Sequence, residues 1–257
     1  MTDKGSPSHT AQADGLSPFL LLAKCDPMLF DDGVFEPYLR RMGLEPGVAA
    51  VSPPVPELFG GDCLEIRFAE QRALAGRISE TILGPVVHPD RPLQPAEVLA
   101  CAPIGALSGN KVADSRELFK LAVLLIDLTR AEQIYWSPAG LWSDAWTFRA
   151  AVAEMLASGM PPVLHLVAFN PAGAGGALRS HGLAFFGSQE LEVRESGGLS
   201  QRELMRRLAR LAIDAMVNGA ISARRTFPGL VAGEHIEVAP EVGENGTVTL
   251  FMSVERE

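Results

Sequence analysis

Residues 118–128 read LFKLAVLLIDL. They follow the D-x-x-E signal of Asp114 and Glu117, a variant of the capping box, and predict a helix from about Ser115 to Ala131. Apolar residues occupy almost every side of this helix, whereas a surface helix keeps a polar face. It therefore has to be covered on most sides, which demands further layers of structure around it. Membrane insertion is not the expected way of covering it. The longest unbroken apolar run, residues 121–126, is far short of the ~20 residues a spanning helix needs.

The rest of the chain supplies short strands and more helices. Residues 18–24 (PFLLLAK) predict a buried strand, and Asp31 or Asp32 can cap a helix lined by Phe35, Tyr38, Leu39 and Met42 and stopped at Gly43. Four prolines and three glycines make 46–61 a loop or edge hairpin. The alternation of 63–68 (CLEIRF) predicts a half-buried strand, with 73–83 as its antiparallel partner. The prolines of 88–95 mark a loop, and Pro95 opens a short helix through Ala102. Ile134–Trp136 is a short strand, and Ser143 caps a helix ended by Gly159, Pro161 and Pro162. The apolar run 163–169 (VLHLVAF) predicts a central strand, and 178–186 and 191–194 predict two more, joined through Gly187. Ser200 and Glu203 form an S-x-x-E capping box for a helix closed at Asn218-Gly219. Strands near 235–239 and 247–254 flank the turn Glu244-Asn245-Gly246. This order is α+β: a mainly antiparallel sheet with helices packed on one face, with duplicated ferredoxin-like halves as an open alternative. With no long linker, the expected organisation is a flexible tail over 1–16 and a single α+β domain over 17–257.

Charge and cysteine content narrow the function classes. The chain has 22 Lys+Arg against 31 Asp+Glu, a net charge of −9, which argues against a nucleic-acid binder. Cys25, Cys63 and Cys101 are odd in number and lack C-x-x-C spacing, so they predict free, packed thiols and a reducing compartment such as the cytoplasm. Residues 1–14 lack the charged and apolar regions of a signal peptide. The 18 arginines against 4 lysines fit the codon bias of a GC-rich bacterial genome and say nothing about mechanism.

The segment HGLAFFGSQELEV (181–193), with QIYWSPAG (133–140) upstream, resembles the hallmark of a bacterial family known as domain of unknown function 4261. The likeness covers roughly 113–218, with His181 as a departure where a small hydroxyl residue is expected. The resemblance implies an α+β fold and no activity, cofactor or substrate.

Catalytic motifs are sparse. The five histidines show no H-x-x-x-H or H-E-x-x-H spacing, so no metal and no cofactor is expected. Ser180 is not in a G-x-S-x-G elbow. The segments AGAGGA (172–177) and GALSGNK (105–111) echo phosphate loops without their spacing. One constellation stands out. Arg179 and His181 share a face of one strand, and Glu190, Glu192 and Arg194 share a face of the next. Paired through Gly187, they could converge as an acid–base or anion site, or lie as a solvated face of ion pairs. His165, amid apolar neighbours, is expected to be a hydrogen-bonded core histidine. Trp136 and Trp142 cluster with Tyr135 and Trp146, either as core or as an exposed binding patch; Trp142 suits a hydrophobic staple with Trp146. Arg202, Arg206, Arg207 and Arg210 form a basic stripe on the last long helix, followed by Arg224 and Arg225. The leading expectation is a non-catalytic, cytoplasmic protein-binding module, an immunity or regulatory partner whose acidic surface suits a basic protein. The alternatives are a hydrolase using His181 with Glu190 or Glu192, and a structural component of a secretion or surface assembly.

Overall fold

A computed structural model of the chain describes residues 20–26, 37, 40–41, 49–52, 98–103, 111–172, 177–193, 198–242 and 248–256. The predicted tail, the 63–68 strand and its partner, Cys63, the 105–110 segment and the turn at 244–246 lie outside the described residues. Most of the predicted helix near Phe35 lies outside them too.

The fold is α+β, built on two sheets. The first is wholly antiparallel, in the order β2 (Ala49–Ser52), β3 (Val98–Pro103), β1 (Leu20–Ala23), β4 (Gln133–Trp136), β5 (Leu141–Asp144). The second runs β6 (Ala168–Pro171), β7 (Leu178–His181), β8 (Gln189–Val193), β11 (Val248–Arg256), β10 (Glu234–Val242), β9 (Arg225–Pro228). Its β8–β11 pair is parallel and its other pairs are antiparallel. The two sheets thus differ in order and in pairing sense, and the described residues do not display a duplicated ferredoxin-like half.

The all-round apolar stretch forms α1 (Lys111–Thr129), and its burial follows the sequence pattern. Leu118, Phe119, Leu121, Ala122, Leu124, Leu125 and Ile126 are all buried. One continuous cluster of buried side chains joins α1 to α2 (Ala145–Ser158), to α5 (Gln201–Asn218) and to the inner faces of both sheets. Trp136 is a junction in it. Its ring lies 5.5 Å from Phe119 of α1, and 5.5 and 6.4 Å from Phe185 and Phe186 of the short helix α4 (Ala184–Gly187). Cys101 is fully buried, and burial pushes its thiol up to about 12, where it serves as a packed apolar group.

Four local expectations change. Residues 98–103 form a strand rather than the end of a helix. Leu99 and Cys101 face the core, and the ladder to β1 outweighs the start signal of Pro95. The run 163–169 splits into one helical turn, α3 (Val163–Leu166), and β6 at the sheet edge. Pro161 and Pro162 set this up: the N–H groups of Val163 and His165 donate to their carbonyls at 2.8 and 2.9 Å. The strand predicted over 178–186 stops at His181, where Gly182 turns at φ +95° into α4. Asp144, not Ser143, caps α2, accepting from the Thr147 N–H at 2.8 Å. The capping box at Ser200 and Glu203 forms as expected.

Candidate functional site on the second sheet

Helix α5 and the core cover the inner face of the second sheet. The pleat turns Leu178 and Ser180 of β7, Leu191 and Val193 of β8, Leu250 and Met252 of β11, and Ile236 and Val238 of β10 inward, and all are buried. The alternate positions face outward: Arg179 and His181, Glu190 and Glu192, Thr249, Phe251, Ser253 and Glu255, and His235, Glu237, Ala239 and Glu241. Each of these is half-buried or exposed. Arg179, His181, Glu190 and Glu192 of the predicted constellation therefore fall on one face but do not form one site, and Arg194 lies outside the described residues.

Arg179 sits opposite Glu192 in the ladder and pairs with it at 3.7 Å. With both partners solvent-accessible, this is the weak cross-strand pair expected of a solvated face. Glu190 takes a different course. Strand β7 peels away from β8 beyond Arg179, and polar side chains fill the gap. The Ser180 hydroxyl accepts from the Leu191 N–H at 2.7 Å and donates to the Glu190 carboxylate. The other carboxylate oxygen accepts from the N–H groups of Gly182 and Ala184, at 2.9 and 3.1 Å. Glu190 thus closes the turn into α4. Its three donors are those a structural carboxylate uses to satisfy a broken ladder. His181 stays exposed at the end of β7, opposite Ala168.

The tryptophan patch is corrected. Trp136 and Trp142 are 1% and 2% exposed. Trp142 packs on Tyr135 with ring centroids 5.0 Å apart. Trp146 is the exposed member, at 70%, so no staple joins it to Trp142. Arg149, held by Asp127 at 2.9 Å, lies over its ring at 5.5 Å. Arg206 is exposed on α5, as are Arg202 and Arg210, but Arg207 leaves the predicted solvated stripe and is buried. Its i+1 offset from Arg206 turns it toward β10, where its partner Glu234 waits. Sequence reasoning had no signal for that residue, because the two lie 27 positions apart.

His165 is buried, with its ring edge-on to Phe148 at 5.5 Å. Its Nδ1 has no hydrogen-bond partner among the described residues. Burial lowers its pKa from 6.5 to about 4, and the carboxylate of Asp144 pulls weakly the other way. The imidazole is neutral in the fold and protonates first in the unfolded chain. Stability is therefore expected to drop as pH falls from 6.5 to about 4, by about 3 kcal/mol, and to gain nothing further from this group below that window. Urea unfolding of wild type and His165→Phe across this range checks it. Identical pH slopes in the two proteins would sink the assignment.

Among the described residues, no group of three or more His, Cys, Asp and Glu side chains could hold a metal ion, and no helix is long and apolar enough to cross a membrane. No family model, no curated protein and no solved structure matches this chain.

Proposed function

We propose that this protein is a non-catalytic binding module, an immunity or regulatory partner in a bacterial cytoplasm, that receives a basic protein on the outer face of its second sheet. The observation supporting this reading is the make-up of that face. Phe251 lies near its middle, flanked in register by Glu192 on β8 and Ala239 on β10. Glu237, Glu241 and Glu255 surround this centre on β10 and β11. Arg179 pairs with Glu192 and Arg224 with Glu237, the latter at 2.6 Å, and outward carboxylates outnumber these two arginines on the face. A carboxylate rim around an aromatic centre steers and then anchors a cationic partner. The hydrolase reading is less favoured: Glu190 accepts from Ser180, Gly182 and Ala184, and Glu192 pairs with Arg179. The assembly reading loses its surface sign, because Trp136 and Trp142 are core. The resemblance to family 4261 brings no chemistry to the choice.

Affinity capture from the native host at low salt is expected to retain a stoichiometric basic protein. The double reversal Glu241→Lys with Glu255→Lys should release it, as should raised salt. If no stoichiometric partner is retained at low salt, or if charge reversal leaves retention unchanged, this reading fails.

A further inference from the structure

Strands β6 and β7 join the rest of the second sheet through very little backbone. β7 meets β8 at one register pair, Arg179 with Glu192. By contrast, β8 runs beside β11 from Gln189 opposite Val248 to Val193 opposite Met252, and β10 and β11 pair along their whole length. Among the described residues, β6 pairs with β7 alone and ends the sheet. A continued ladder would set Leu191 opposite Ser180 and Glu190 opposite His181. Instead, the Leu191 N–H donates to the Ser180 hydroxyl, and the Glu190 carboxylate accepts from the Ser180 O–H and from the N–H groups of Gly182 and Ala184. One side chain stands where ladder bonds would be.

The apolar anchoring of these two strands is thin as well. β8, β11 and β10 each turn two large apolar side chains into the core: Leu191 and Val193, Leu250 and Met252, Ile236 and Val238. β6 contributes Phe169 and β7 contributes Leu178, and the next inward position of β7 is Ser180. A two-stranded ribbon is marginal on its own in water. Openings short of global unfolding are drawn from segments with few buried apolar contacts and few backbone bonds, and β6 and β7 have both properties. Beyond them, α4 is fixed to the first sheet by the rings of Phe185 and Phe186 against Trp136. Gly182, at φ +95°, marks the boundary between the two.

We infer that β6 and β7 open as one unit while the rest of the fold stays closed, and that Glu190 is the latch that holds them shut. Opening parts Ser180 from Glu190 and Leu191, breaks the Arg179–Glu192 pair, and leaves β8, an interior strand, at the edge of a smaller sheet. This device does not rest on the partner proposed for the outer face.

Native-state hydrogen exchange of the full chain, read by NMR against increasing urea, tests it. In wild type the amides of β6 and β7 are expected to exchange at least about a hundredfold faster than those of β10 and β11, with a weak urea dependence, since the opening exposes little surface. Val238→Ala removes packing that is lost only in global unfolding. It should speed exchange in β10 and β11 about tenfold and leave β6 and β7 unchanged. Glu190→Ala removes bonds that are lost in both openings, and should speed both sets by a common factor of about ten. If Glu190→Ala does not fold, the milder Ser180→Ala takes its place with the same expectation, and the wild-type and Val238→Ala results stand by themselves. Equal rates and equal urea dependence for the two sets in wild type overturn the inference, as does acceleration of β6 and β7 by Val238→Ala. Exchange of β6 and β7 that is indifferent to Glu190 and Ser180 removes the latch.

Discussion

Replacing Arg207 with alanine is expected to destabilise the protein by about 3–5 kcal/mol, the range for removing one partner of a buried ion pair. The side chains of Arg207 and Glu234 are 3% and 0% exposed. Arg207 Nε donates to Glu234 Oε1 at 2.8 Å, Nη2 donates to Oε2, and Nη1 donates to the Glu203 carbonyl at 2.8 Å. Each guanidinium nitrogen and both carboxylate oxygens therefore have a hydrogen-bond partner, the condition under which a buried pair is tolerated. Without the guanidinium, the buried Glu234 carboxylate loses both bonds from Arg207 and the cation that balances it, while the Leu230 N–H still donates to it. Space for relief is scarce, because even a Cβ added at Gly229 would fall on the Glu234 side chain. The cost should come mostly from the stranded charge rather than from lost attraction. Arg207→Met combined with Glu234→Leu is then expected to cost clearly less than Arg207→Ala alone. Chemical denaturation of the three proteins measures both quantities. A single substitution costing under about 1 kcal/mol, or a double substitution costing as much as the single, would show that the pair is not what fastens β10 to α5.

The pair also illustrates what the sequence could disclose. Local signals read well: the all-round apolar helix is buried, the Ser200 capping box forms, and Gly159 ends α2. Each depends on neighbours within one or two helical turns. Where a distant partner decides the outcome, the reading fails. Residues 98–103 pair with β1, more than seventy positions away, and that ladder overrides the helix-start signal of Pro95. The strand reading of 163–169 rested on apolar composition, which a helical turn against the core satisfies equally. At the candidate site, the alternation placed Arg179, His181, Glu190 and Glu192 on one face. It could not show that β7 leaves β8 at Ser180 and that Glu190 fills the gap. Trp136 and Trp142 could be core or patch by spacing alone, and the contacts of Trp136 with Phe119, Phe185 and Phe186 decide for core.

Gly182→Ala is expected to cost about 2–5 kcal/mol, from two separate penalties. The first is conformational. Gly182 sits at φ +95°, where an L side chain is strained by about 1–2 kcal/mol. The second is contact. A Cβ here would lie 2.6 Å from Ala139 Cβ, 2.7 Å from its Cα and 3.0 Å from its N. Ala139 belongs to the turn Ser137–Ala139 between β4 and β5, so this is a close approach of the first sheet's turn to the end of β7. No rotamer change can relieve it, because two of the three atoms are backbone. Either the turn moves off or β7 shifts, and β7 is where the Gly182 N–H holds Glu190. Gly159 provides the control. It has φ +80°, and a Cβ there would meet nothing within 4 Å. Gly159→Ala should therefore show the conformational penalty alone, about 1 kcal/mol. The excess in Gly182→Ala over Gly159→Ala measures the contact between the two sheets, and Ala139→Gly in the Gly182→Ala background should recover part of that excess but none of the φ strain. Equal losses in the two glycine variants would mean that the sheets do not meet at this point.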